Sequence, residues 1–91
     1  MTQRAKILVT GRVQGVYFRY FTQKKARQLG VVGSVRNLPD GSVEIIGQAK
    51  SDVLQNLIDW SHKGPITARV DCIEVVSLTL DEMLVTFDIT D

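Results

Sequence analysis

Twice along this chain the hydrophobic period switches from about two residues to about 3.6 and back, and that rhythm restricts the fold more than any other feature. Ile7-Leu8-Val9 is a short β-branched-rich run ended at Gly11, and reads as a strand. From Phe18 the pattern turns helical. Phe18, Phe21, Thr22, Ala26 and Leu29 share one arc, with Tyr20, Gln23, Lys24, Arg27 and Gln28 opposite. Lys25 lies beside the apolar arc, where its stem can cover apolar surface while the ammonium reaches water. Gly30 follows as a C-cap.

Val31 to Asn37 reads as a second strand, and Leu38-Pro39-Asp40-Gly41 is turn chemistry, because Pro pre-sets one dihedral and Gly supplies a positive one. Val43, Ile45, Gly47 and Ala49 then alternate with Ser42, Glu44, Ile46 and Gln48 as a third strand, hairpinned to the second. Ser51 is the expected N-cap of a second helix, with Asp52 favoured in its first turn by the helix dipole. Its apolar face is Val53, Leu54, Leu57, Ile58 and Trp60, and it stops before Gly64-Pro65, with His62 just past its end. Val70 to Leu78 is apolar enough for a fourth strand, with a blurred alternation that suggests a bulge. Val85, Phe87 and Ile89 alternate as a short fifth strand.

The order is therefore βαββαβ plus a terminal strand. Each helix has one apolar face, so both belong on the same side of one mainly antiparallel sheet. That is an α+β, ferredoxin-like split βαβ sandwich with right-handed crossovers. With 91 residues and no repeat, linker or low-complexity segment, the chain reads as a single domain over 1–91. The fold alone says little about function.

Composition removes several function classes. No apolar run approaches the roughly 20 residues that span a bilayer, and the N-terminus lacks the apolar core and cleavage site of a signal peptide. A cytoplasmic location is expected. The net charge of +1 supplies no field to draw in nucleic acid or a membrane surface. Cys72 is the only cysteine, so no intramolecular disulfide forms, and in an apolar strand it is expected to be a small buried hydrophobe. The cations do gather early, at Arg4, Lys6, Arg12, Arg19, Lys24, Lys25, Arg27 and Arg36. They fit a solvated strand edge and helix face, or an anionic ligand near the first helix; composition does not choose.

The chemistry lies in Gly11-Arg12-Val13-Gln14-Gly15-Val16-Tyr17-Phe18-Arg19, which joins strand to helix. The first amides of a helix lack internal partners, and the dipole adds partial positive charge there. Gly15 lets the backbone curl so that successive N–H groups converge into an anion-binding nest. Arg19 can fold its guanidinium over the same hollow, and its rigid fork suits two phosphate oxygens at once. A tight turn beside a solvated Arg is the plainer alternative. Better-known phosphate loops do not fit. Val16-Tyr17 replaces the Lys-Ser/Thr of a Walker loop, the dinucleotide fingerprint lacks its third glycine, and Val13 stands where a cysteine phosphatase needs its nucleophile.

The same nonapeptide resembles the signature of the acylphosphatase family, Gly-x-Val-Gln-Gly-Val-x-Phe-Arg. Gly33-Ser34-Val35-Arg36-Asn37-Leu38-Pro39-Asp40-Gly41 resembles its Gly-x-Val-x-Asn…Asp-Gly segment. Gly64-Pro65 and Ala68-Arg69-Val70 are similar to its later pattern, and the resemblance fades after Leu78. The resemblance implies hydrolysis of acyl phosphates without metal or other cofactor, on a ferredoxin-like sheet. It assigns phosphate binding to Arg19 and to the amides of Gly15, Val16, Tyr17, Phe18 and Arg19, and the positioning of water to Asn37. Ser34 stands where many members carry a bulky aromatic, a departure that bears on acyl-group preference.

Strand parity adds independent support for Asn37, since it shares a sheet face with Val35, although a turn residue bonding its own backbone is the alternative. The expected partners are a small acyl phosphate and inorganic phosphate, with no nucleic acid, no membrane and a monomeric chain. No His, Cys, Asp or Glu cluster has metal-ligand spacing. A non-catalytic anion- or partner-binding module is the competing reading. An RNA-binding module of the same order would carry stacking aromatics on its central strands, and Ile7-Leu8-Val9 and Val43 to Ala49 have none.

Overall fold

The computed structural model describes residues 1–90. Its elements follow the expected order: β1 (Thr2–Arg12), α1 (Phe18–Leu29), β2 (Val32–Asn37), β3 (Val43–Lys50), α2 (Ser51–Lys63), β4 (Arg69–Leu78) and β5 (Phe87–Ile89). They form one sheet in the order β4-β1-β3-β2-β5. β1 lies antiparallel between β3 and β4, β2 is antiparallel to β3, and β5 runs parallel to β2 at the far edge.

Alternate residues of the strands supply the core: Ala5, Ile7 and Val9 of β1, Val35 of β2, and Val43 and Ile45 of β3 are buried. The helices cover that face with Phe18, Thr22 and Ala26 of α1 and Leu54, Leu57 and Ser61 of α2. Complete burial of a side chain such as Ile7 or Phe18 stabilises by about 1.5–3 kcal/mol. The buried hydroxyls on the helices add no penalty, since Thr22 donates to the Phe18 carbonyl and Ser61 to the Leu57 carbonyl, each at 2.8 Å.

Several boundaries move, for physical reasons. β1 begins at Thr2 rather than Ile7, because Gln3 and Ala5 extend the ladder opposite Ala49 and Gly47. β5 starts only at Phe87, whose ring closes the core between α1 and β2. Ser51 is not the N-cap of α2. Its amide donates to the Met1 carbonyl at 2.8 Å, Lys50 takes the cap position, and Ser51 becomes the first helical residue. His62 falls in the last turn of α2 and is exposed.

The bulge expected in β4 is present. Thr10 faces Cys72 but Gly11 faces Val70, leaving Asp71 as the extra residue. The slip puts Val70 on the same face as Ile73, and both pack against the core, which accounts for the blurred alternation. It also corrects the reading of Cys72. This residue is exposed, because it pairs with Thr10 on the face opposite the helices of an edge strand.

Candidate active site

Three buried side chains hold the loop between β1 and α1 from beneath: Val13, Val16 and Phe18. The Phe18 ring sits 5.7 Å from that of Trp60 on α2, centroid to centroid. Above them the backbone curls through two left-handed residues, Gly15 at φ 74° and Tyr17 at φ 63°. A Cβ at Gly15 would meet nothing within 4 Å, so the dihedral selects glycine there, not the space. At Tyr17 the left-handed backbone costs roughly 1–2 kcal/mol. Among the described residues, the amides from Gly15 to Tyr20 find no backbone acceptor, and the first to do so is Phe21, which reaches the Tyr17 carbonyl at 3.1 Å. A row of free donors at a helix start is the arrangement an anion requires.

Those donors border a cavity of about 420 Å³ lined by Val13, Gly15, Tyr17, Phe18, Arg19, Tyr20, Asn37 and Ile89. The early cations are now distinguishable. Arg27 pairs with Asp88 at the surface and Arg36 with Glu44 on the sheet; Arg19, like the other early cations, has no ion pair among the described residues, but it alone contributes a charge to the cavity. Asn37 ends β2 opposite Val43, on the face of buried Val35 as its parity requires. Its Oδ1 is buried and has no hydrogen-bond partner among the described residues. Of the residues assigned to the cradle, Val16 alone does not line the cavity: its side chain is in the core. Ser34 lies on the opposite face of β2, in register with Ile46 and Asp88, and does not line it either.

The Asn37 hairpin is tied to the loop by Gln14, whose Nε2 donates to the Leu38 carbonyl at 2.8 Å and the Ser42 carbonyl at 2.9 Å. Within the hairpin, Asp40 Oδ1 accepts from the Ser42 hydroxyl at 2.5 Å and the Ser42 amide at 2.9 Å. Those bonds, the hydroxyl's first, hold the Asp40 carboxyl below its ordinary range. Among the described residues, no three His, Cys, Asp or Glu side chains gather as a metal-ligand cluster.

The model of the acylphosphatase family matches residues 5–89 of this chain. The chain belongs to that family. An acylphosphatase of Methanococcoides burtonii is 48% identical over 83 residues, which are 91% of this chain and 86% of that one. Another, of Shewanella amazonensis, is 44% identical over 88 residues, 97% of each chain. The crystal structure of acylphosphatase from Bacillus subtilis is 35% identical and superposes with a TM-score of 0.93 over the whole of both chains. The activity is accordingly that of an acylphosphatase, a hydrolase of acyl phosphates. The match continues well beyond Leu78, where the motifs by themselves fade.

Four residues in and around this candidate site escape the sequence pattern. Tyr20 and Ile89 form part of the cavity wall, although by pattern Tyr20 is only a polar-face residue and Ile89 only part of a strand. Gln14 lay inside the signature but carried no stated role. Thr67 donates its hydroxyl to the Val16 carbonyl at 2.6 Å across 51 positions of chain, a contact that no local pattern announces.

Proposed function

We propose that Arg19 and Asn37 carry the hydrolysis, with the amides of residues 15–19 completing the phosphate site. The observation that carries this reading is their common cavity: a guanidinium without an ion pair and a side-chain amide, beside a row of backbone N–H groups with no backbone acceptor among the described residues. The guanidinium fork and the amides take the phosphoryl oxygens, whose charge spreads in a loose transition state. The Asn37 side-chain amide, at the cavity wall, hydrogen-bonds a water and directs its lone pair at phosphorus. The water–phosphorus bond forms as the bond to the acyl oxygen breaks, the carboxylate leaves with the electron pair, and the water's proton passes to the phosphate product or solvent. A carboxylate is a good leaving group, so orienting the water suffices without a general base.

The reading includes a small acyl phosphate as substrate and inorganic phosphate as a competing ligand, with no metal or cofactor. It also includes a monomer working in the cytoplasm without nucleic-acid or membrane partners; no helix among the described residues is long and apolar enough to cross a membrane. The test is phosphate release from benzoyl phosphate with and without chelator. Arg19→Ala is expected to lose at least about 10²–10³-fold in rate, with little recovery in Arg19→Lys because an ammonium has no fork. Inorganic phosphate should compete with substrate. Near-normal hydrolysis by Arg19→Ala would overturn the assignment.

A further inference from the structure

Resting on that reading of the loop as a phosphate cradle, we propose that Thr67 is a positioning residue which holds the Tyr17 amide aimed into the cradle. The backbone at Tyr17 needs holding. Tyr17 is the only non-glycine with positive φ among the described residues, at φ 63° and ψ 23°. A flip of the Val16–Tyr17 peptide plane would return Tyr17 to negative φ and release that strain. It would also reverse the direction of the Tyr17 N–H. In a trans peptide the carbonyl and the N–H point to opposite sides, so whatever fixes the Val16 carbonyl fixes the Tyr17 amide as well.

Thr67 Oγ1 donates to that carbonyl at 2.6 Å, at the short end of hydroxyl–oxygen bonds. On the other side of Tyr17, its own carbonyl accepts from the Phe21 amide at 3.1 Å as α1 begins. The left-handed residue is thus pinned at both flanking peptides. One bond belongs to the helix itself; the other is supplied by a side chain from a distant turn.

That turn is built to hold its place. Ala68 N donates to the Pro65 carbonyl at 2.9 Å, closing a tight turn with Ile66 and Thr67 at its centre. Gly64 precedes it at φ 66°, its amide bonded to the Trp60 carbonyl at 2.7 Å, and a Cβ at Gly64 would press on the Phe18 ring. The Gly64-Pro65 segment therefore sits directly against the residue that starts α1, and delivers the Thr67 hydroxyl to the back of the cradle. Thr67 does not line the cavity, so it acts through the Val16 peptide and not on the ligand.

The test compares wild type, Thr67→Val, which keeps the shape and removes the hydroxyl, and Thr67→Ser, which keeps the hydroxyl. Benzoyl phosphate kinetics, competition by inorganic phosphate, thermal melts and the Tyr17 amide resonance are recorded for each. Loss of one neutral hydrogen bond corresponds to about a fivefold effect. Thr67→Val should therefore raise the inhibition constant for phosphate and KM by roughly that factor, leave kcat within about twofold, and shrink the movement of the Tyr17 amide signal at phosphate saturation. Thr67→Ser should restore all three to within about twofold of wild type. If wild type and Thr67→Val bind phosphate alike and show the same Tyr17 response, the positioning role is wrong while the cradle stands. A lower melting temperature in Thr67→Val with unchanged phosphate affinity reduces Thr67 to a structural contact and also overturns it. Wild type that neither hydrolyses benzoyl phosphate nor binds inorganic phosphate overturns the cradle and the proposal together.

Discussion

Replacing Asn37 by Ala separates a catalytic amide from a structural one, because the two roles predict different effects on stability. Asn37 is half-buried at the end of β2, and its Oδ1 has no hydrogen-bond partner among the described residues. Truncation therefore removes little that holds the fold, so the expected change is within about 0.5 kcal/mol, and for a domain of this size each 1 kcal/mol moves Tm by roughly 4–8 °C. Turnover should nevertheless fall, with kcat lower by about 10²–10³-fold as for other preorganised polar groups. KM should stay near wild type, since Arg19 and the amides are untouched and the water is not committed in the ground state. Steady-state hydrolysis of benzoyl phosphate and a thermal melt on the same samples suffice. Asn37→Asp is the control: it keeps an acceptor in place but faces the phosphate with a negative charge, so inorganic phosphate should compete less well. A Tm lowered by more than about 4 °C with kcat within about threefold of wild type would refute the reasoning. Asn37 would then be a turn residue whose polarity serves the hairpin.

Gln14→Ala should cost about 1–2 kcal/mol in chemical denaturation, at the low end for two hydrogen bonds, because Leu38 O keeps the Gly41 amide and Ser42 O keeps the Leu38 amide. Its kinetic effect should fall mainly on kcat, because the hairpin carrying Asn37 is released while Arg19 stays; a change confined to KM would contradict that role. Asp40, with its folded pKa depressed by Ser42, contributes stability that is present above its unfolded pKa and lost as pH falls through its folded pKa. Equilibrium denaturation across the acid range should show Asp40→Asn with a shallower acid loss than wild type, and identical acid profiles would refute the linkage.

The parts of this site that sequence alone could place are those made by neighbours along the chain. Gly15, Tyr17, Phe18 and Arg19 share one strand-to-helix passage, so glycine curvature, free helix amides and a guanidinium within the first turn follow from local rules. Asn37 was legible at one remove, through parity with buried Val35, because a strand has only two faces. What stayed hidden is what holds these parts against each other. The hydroxyl of Thr67 meets the Val16 carbonyl across 51 positions, and Gln14 spans 24 and 28 to reach the hairpin. Neither contact has a periodicity, since each depends on how a turn is set by the layer beneath it. Cys72 was misread for the related reason that an edge strand with a bulge obeys its partner's register, not its own apolar content. The proposed cradle of backbone amides is therefore written in one short motif, whereas the contacts behind it come from turns that only the folded sheet brings together. On that proposal, substitutions at Gln14 and Thr67 should tune the hydrolase by degrees, while those at Arg19 and Asn37 should cost it about 10²–10³-fold with the fold intact.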